Sequence, residues 1–163
     1  MIDNNDIEGL KQMRERQPDF LYLRDDSGWT PLFYASWNNK PSVVKLFINI
    51  GCNLGAVDFS FQSSYHLSAR AGHAKVLNIL CQYDIKSLNQ GDDYNRTPLY
   101  FASLHGNIAC VDTLLRHNAD TAVMSSMGET AYDVAGEQSE EKRHVIQKMI
   151  EDHMSSLLIQ VDS

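Results

Sequence analysis

The chain has 163 residues, and 14 basic against 21 acidic side chains leave a formal charge of −7; 43% of its residues are hydrophobic and 21% charged. That balance describes a folded soluble protein rather than a disordered one. A net anion gains nothing from counterion release on a phosphate backbone, so nucleic-acid binding is not expected. No apolar run approaches the roughly 18 residues that cross a membrane, so direct membrane insertion is not expected either.

The opening residues, Met1 to Asp6, carry neither the basic flank nor the apolar stretch of a secretory leader. Cys52, Cys81 and Cys110 form an odd set without paired spacing, which points to reduced thiols in a cytoplasmic, or else nuclear, compartment. Ahead of Pro18, Ile7, Leu10 and Met13 have helical spacing and predict a short capping helix within residues 1–24.

Beyond residue 24 the chain repeats itself. Four segments align: Gly28-Trp29-Thr30-Pro31-Leu32, Phe61-Gln62-Ser63-Ser64-Tyr65, Asn95-Arg96-Thr97-Pro98-Leu99 and Gly128-Glu129-Thr130-Ala131-Tyr132. Their hydroxyl residues Thr30, Ser63, Thr97 and Thr130 recur at intervals of 33, 34 and 33, a period that marks a stacked-repeat architecture. Each hydroxyl suits a helix N-cap, and Pro31 and Pro98 then fall at the first helical position, where a missing N–H costs little. Asn39, Gly72 and Gly106, nine residues past each cap, are types that tolerate the left-handed conformation ending a helix. A second, apolar helix follows in each unit, carrying Val44, Leu46, Phe47 and Ile48 in the first. Its counterparts are Leu77, Ile79, Leu80 and Cys81, then Val111, Leu114 and Leu115.

These motifs resemble the ankyrin-repeat family, whose pattern is Gly-x-Thr-Pro-Leu-His-x-Ala-Ala followed by a Gly-His pair, paired leucines and Gly-Ala-Asp. The resemblance implies an all-α solenoid of helix-turn-helix units joined by hairpin loops. Its repeats would fall at 25–57, 58–91, 92–124 and 125–153, with an apolar tail at 154–163. Repeat three fits most closely. Repeat two keeps His66, Gly72 and His73, but Phe61 replaces the hairpin glycine and predicts an irregular turn, and Tyr83–Asn89 carries one extra residue. Repeat two is therefore expected to be the weak link of the stack. In repeat four, Gly136–Glu141 replaces the usual link with polar residues, and the second helix starts late. The tail, Ser155–Val161, is too apolar for a solvated end; docking on the last repeat or continuation into a larger protein is expected.

In this family partners usually bind the concave surface of hairpin tips and first helices. Carried over, that surface comprises Asp26, Trp29, Trp37 and Asn38 from repeat one, and Phe59, Gln62 and Arg70 from repeat two. Repeat three adds Tyr94, Arg96, Leu104 and His105, and repeat four Met127 and Glu129. Both tryptophans fall in this set, and Trp, Tyr and Arg dominate interface hot spots. The resemblance therefore implies a non-catalytic module that binds another protein or a peptide, monomeric on its own and without cofactor or metal. Two alternatives stand beside this. One is a stoichiometric enzyme inhibitor, although the ankyrin inhibitors of cyclin-dependent kinases have a shortened first helix in repeat two, which this chain lacks. The other is the regulatory or targeting region of a larger enzyme or lipid-transfer protein.

Catalytic chemistry has no visible constellation. His66 and His73 stand where the family ties hairpins and loops together, and His105 has no assignable carboxylate or nucleophile beside it. The cysteines lie 29 residues apart but at three different points of the repeat, so they do not converge on a metal. Asn95-Arg96-Thr97 matches the glycosylation pattern by chance.

Overall fold

A computed structural model describes residues 9, 12, 13, 15–137 and 139–161. Ile7 and Leu10 lie outside these residues; Met13 is helical and exposed. A 3-10 helix, Pro18–Tyr22, leads into three helix pairs: α1 (Pro31–Trp37) with α2 (Pro41–Asn49), α3 (Ser64–Ala71) with α4 (Ala74–Tyr83), and α5 (Pro98–Leu104) with α6 (Ile108–Arg116). A long helix α7 (Glu140–Val161) follows. The first helices stack on one another in the order α1, α3, α5, and the second helices in the order α2, α4, α6, α7.

The first helices begin at the hydroxyl positions of the repeat. Thr30, Ser63 and Thr97 are extended, and Thr97 accepts from the Tyr100 N–H at 3.3 Å. Each first helix is followed by one left-handed residue, Asn39, Gly72 or Gly106. The core forms between the two layers. Val44, Phe47, Val76, Leu77, Leu80, Val111 and Leu114 from the second helices meet Leu32, Tyr65 and Leu99 from the first. Tyr65 occupies the slot that leucine fills in its neighbours. Its buried hydroxyl needs a partner, and it lies within reach of the carbonyls of Leu80, at 2.9 Å, and of Asp84 at the end of α4.

Repeat two departs from expectation in one respect. Its turn is regular: Phe61 itself takes the left-handed conformation, at φ 57°, and the hydrogen bonds of the other hairpins are kept. Repeat four departs more. Its first helix is absent, and residues 131–137 form successive turns instead. Thr130 still makes a reciprocal cap with Asp133, whose Oδ2 accepts from the Thr130 N–H at 2.7 Å and its hydroxyl at 2.6 Å.

The apolar tail is the second half of α7, which at 22 residues extends about 33 Å. Ile146 and Ile150 are buried at its start, whereas Met154, Leu157, Leu158 and Ile159 are exposed, so the end projects undocked.

Candidate functional site

The presumed binding face rests on four hairpins wired alike. In each, the first residue's N–H donates to the carbonyl four residues on: Asp25 to Trp29, Asp58 to Gln62, Asp92 to Arg96, Ser125 to Glu129. The Oδ1 atoms of Asp25, Asp58 and Asp92 each accept two further tip N–H groups, at 2.8–3.0 Å. Ser125 does the same less tightly through its hydroxyl, at 3.2 and 3.4 Å. One backbone hydrogen bond joins each tip to the next: Phe59 to Ser27, Asp93 to Ser60, Ser126 to Tyr94. A row so tied presents its side chains at fixed spacing.

Histidines and an asparagine bind the layers behind this row. The Ser63 N–H donates to His66 Nδ1 at 3.0 Å, which leaves Nε2 as the protonated nitrogen, donating to the Arg96 carbonyl at 2.9 Å. Burial pushes the His66 pKa down to about 4, so the ring stays neutral. His73 Nε2 donates to the Trp37 carbonyl at 2.8 Å, and Asn107 Nδ2 to the Ala69 carbonyl at 2.8 Å. Both reach back into the preceding repeat.

Repeat one supplies an aromatic cluster. The Trp29 ring lies 5.2 Å from Tyr34, 6.3 Å from Phe33 and 6.2 Å from Trp37, centre to centre. Its Nε1–H donates to Asp58 Oδ2 at 3.1 Å, so the indole reaches over the next hairpin. Trp37 is 39% exposed. Asp26 and Asn38 are also exposed, and Asn38 Nδ2 donates to the Tyr34 carbonyl. Phe59 is 69% exposed, and its ring edge lies 3.1 Å from where a side chain on Gly28, at φ 81°, would begin, so any residue other than glycine would crowd the ring there.

Repeat three carries a different cluster. The Arg96 guanidinium sits 4.9 Å from the Tyr94 ring centre and 4.8 Å from that of Phe101. It also pairs with Asp92 Oδ2 at 2.6 Å. His105 stacks on Phe101 and donates from Nδ1 to its backbone carbonyl at 2.9 Å. Tyr94, Arg70 and Met127 are exposed, while Leu104, His105 and Glu129 are half-buried. Glu129 accepts from the Tyr100 hydroxyl at 2.9 Å.

Gln62 requires correction. It is buried rather than exposed, and its N–H is held by Asp58 Oδ1 inside the hairpin. Conversely Tyr34, which was not among the expected residues, is 47% exposed and donates its hydroxyl to Asp25. It occupies the variable position of the Thr-Pro-Leu-His-x motif, and that variability was the available signal.

No group of three metal-ligating side chains occurs among the described residues. The three cysteines are free, and burial raises their thiol pKa to about 11 for Cys52 and about 12 for Cys81 and Cys110. At neutral pH they are protonated and weakly nucleophilic. Among the described residues no helix is long and apolar enough to cross a membrane.

Comparison with known proteins agrees with this geometry. A family model for ankyrin repeats in three copies matches residues 57–125, and one for a single ankyrin repeat matches residues 27–59. The chain belongs to the ankyrin-repeat family, and ankyrin repeats are protein-interaction modules. It is 28% identical over 128 residues, 77% of its length, to the target of rapamycin complex 2 subunit AVO2 of Saccharomyces cerevisiae, of which it covers 30%. It is also 28% identical over 106 residues to human NF-kappa-B inhibitor alpha, covering 62% of this chain and 33% of that protein. Against human transient receptor potential cation channel subfamily A member 1 it is 30% identical over 122 residues, covering 68% of this chain and 11% of the channel. The chain thus spans about a third or less of these relatives.

Proposed function

We propose that the chain is a non-enzymatic adaptor or scaffold that captures a partner protein or peptide on the concave row of hairpin tips and first helices. Trp37, Trp29 and Tyr94 would serve as the principal contacts. The observation that carries this is the exposure of Phe59, Tyr94 and Met127 along one hydrogen-bonded row of tips, with Trp37 exposed at the end of α1. An exposed apolar patch, unlike scattered single residues, marks an interaction site, and a preformed row spares the partner the cost of ordering it. Two of the relatives are named as a subunit of a complex and as an inhibitor, which supports work done through other proteins. The free thiols fit a cytoplasmic or nuclear setting. Inhibition of a cyclin-dependent kinase is disfavoured, since α3 runs a full eight residues.

The test is site-specific photo-crosslinking of the full chain in its own cells. Probes at Phe59 and Asp93 should crosslink the partner, whereas probes at Lys45 and Lys75 on the outer helices should not. Trp37→Ala and Tyr94→Ala, checked for folding by circular dichroism, should abolish capture. Equal crosslinking from the outer helices, or unchanged capture by both variants, overturns the reading.

A further inference from the structure

The repeats offer an internal comparison between equivalent positions of repeats one and three. In repeat three, hairpin Asp92, position-96 arginine and helix Phe101 form a closed unit: the guanidinium lies against the ring and pairs with the carboxylate. The equivalents in repeat one are Asp25, Trp29 and Tyr34. Here Trp29 replaces the cation, Ser27 stands where repeat three has Tyr94, and the Tyr34 hydroxyl donates to Asp25 Oδ2. Among the described residues Asp25, Asp26 and Asp58 pair with no cationic side chain. Repeat one thus keeps a carboxylate beside aromatic faces, with a phenol hydroxyl but no cation on it.

The surroundings specify what would complete them. Trp29 and Tyr34 wall a groove of about 430 Å³ whose other apolar walls include Phe20, Leu23 and Pro31, with Asp25 at its edge. Arg24 also borders it, but its guanidinium donates to the carbonyls of Gly28 and Val57. An apolar wall with a carboxylate at its rim suits a side chain that has an apolar stem and a cationic head. The −7 charge of the chain favours the approach of such a partner.

We infer that the repeat-one end of the concave face receives an arginine or lysine side chain from the partner segment, its stem along Tyr34 and Trp29 and its head beside Asp25 and Asp26. This rests on the concave-face reading above and adds the chemistry of the partner. Cation–π attraction and the carboxylates act together, as they do within repeat three.

Both tryptophans lie in this cluster, so their indole N–H signals in a ¹⁵N-labelled full-length chain report on it directly. The probes are N-acetyl-arginine methylamide, its norleucine counterpart as an uncharged chain of similar length, and its glutamate counterpart. The arginine probe should shift both indole signals saturably, and more tightly than norleucine by roughly fivefold. Asp25→Asn, which retains the hairpin acceptor, and Asp26→Asn, at an exposed site, should each weaken it by roughly twofold to threefold. Asp92→Asn should leave it unchanged. Equal binding of norleucine, tighter binding of glutamate, no saturable shift with arginine, or indifference to both repeat-one variants overturns the inference. Equal binding of norleucine would leave the concave-face reading standing; crosslinks confined to the outer helices would sink that reading whatever these titrations show.

Discussion

His66 donates from Nε2 to the Arg96 carbonyl at 2.9 Å and so fastens the first helix of repeat two to the hairpin of repeat three. The ring is buried and accepts from the Ser63 N–H on its other side, leaving no room for a second proton. Its pKa is about 4 folded against 6.5 unfolded. A base whose folded pKa is depressed contributes nothing unfavourable above pH 6.5. Below that the unfolded chain takes up a proton that the folded one refuses. Stability should therefore fall by about 1.4 kcal/mol per pH unit as pH drops from 6.5 to 4, roughly 3 kcal/mol across the window. Asp25 and Asp92, whose hydrogen bonds hold their carboxyls below the ordinary range, act only at lower pH. Urea unfolding of the native chain and of His66→Gln across pH 4–8 checks this. The variant should be weaker at neutral pH by about 1–2 kcal/mol and show a flatter acid slope; parallel slopes would refute the assignment.

Phe61 adopts φ 57° at the position where repeats one and four have glycine and repeat three asparagine. For a side chain with a Cβ this costs roughly 1–2 kcal/mol, which glycine avoids at an entropic cost below about 1 kcal/mol. The ring is 55% exposed, so its removal forfeits little packing. Phe61→Gly should stabilise the fold by about 1 kcal/mol, read as a higher urea midpoint at unchanged slope. A lower midpoint would mean that the exposed ring packs more productively than its exposure indicates.

The helix starts and stops were legible because they depend on local chemistry: Thr97 caps, Pro98 begins, and Gly106 ends, each acting within a few residues of chain. The exposure of Trp37, Tyr94 and Met127 was legible for the same reason, since the repeat period places each on the open side of its unit. Gln62 was not, because its burial depends on tertiary packing that the repeat period does not encode. Nor was the loss of the first helix of repeat four. Thr130 and Asp133 make the cap, but the turns that follow are set by contacts with α5 and α7, such as the Gly136 N–H to the Ser103 carbonyl, which lie far off in sequence. The regular turn at Phe61 was hidden for the opposite reason: the inter-tip hydrogen bonds of Phe59 and Asp93 hold the hairpin against its local preference.

Repeat four depends on Gly136 in place of that helix. Its N–H donates to the Ser103 carbonyl at 2.8 Å, tying the turns to α5, and its carbonyl accepts from Ser139 at 2.9 Å to start α7. Its φ is 55°, and a Cβ there would lie 2.5 Å from the Arg143 nitrogen and 2.8 Å from the Arg143 Cα. Both are backbone atoms of α7, so no rotamer change relieves the clash. Gly136→Ala must therefore either shift α7 or break the bond to Ser103. The expected loss is about 2–3 kcal/mol. The distribution of that loss is the sharper measurement. In a stack of nearest-neighbour interfaces a defect at the end propagates weakly, so hydrogen exchange should accelerate in residues 131–137 and in the first turns of α7 while α3 and α4 remain protected. Acceleration spread evenly to α3 would show that the stack opens as one unit, and that Gly136 is not a local clasp.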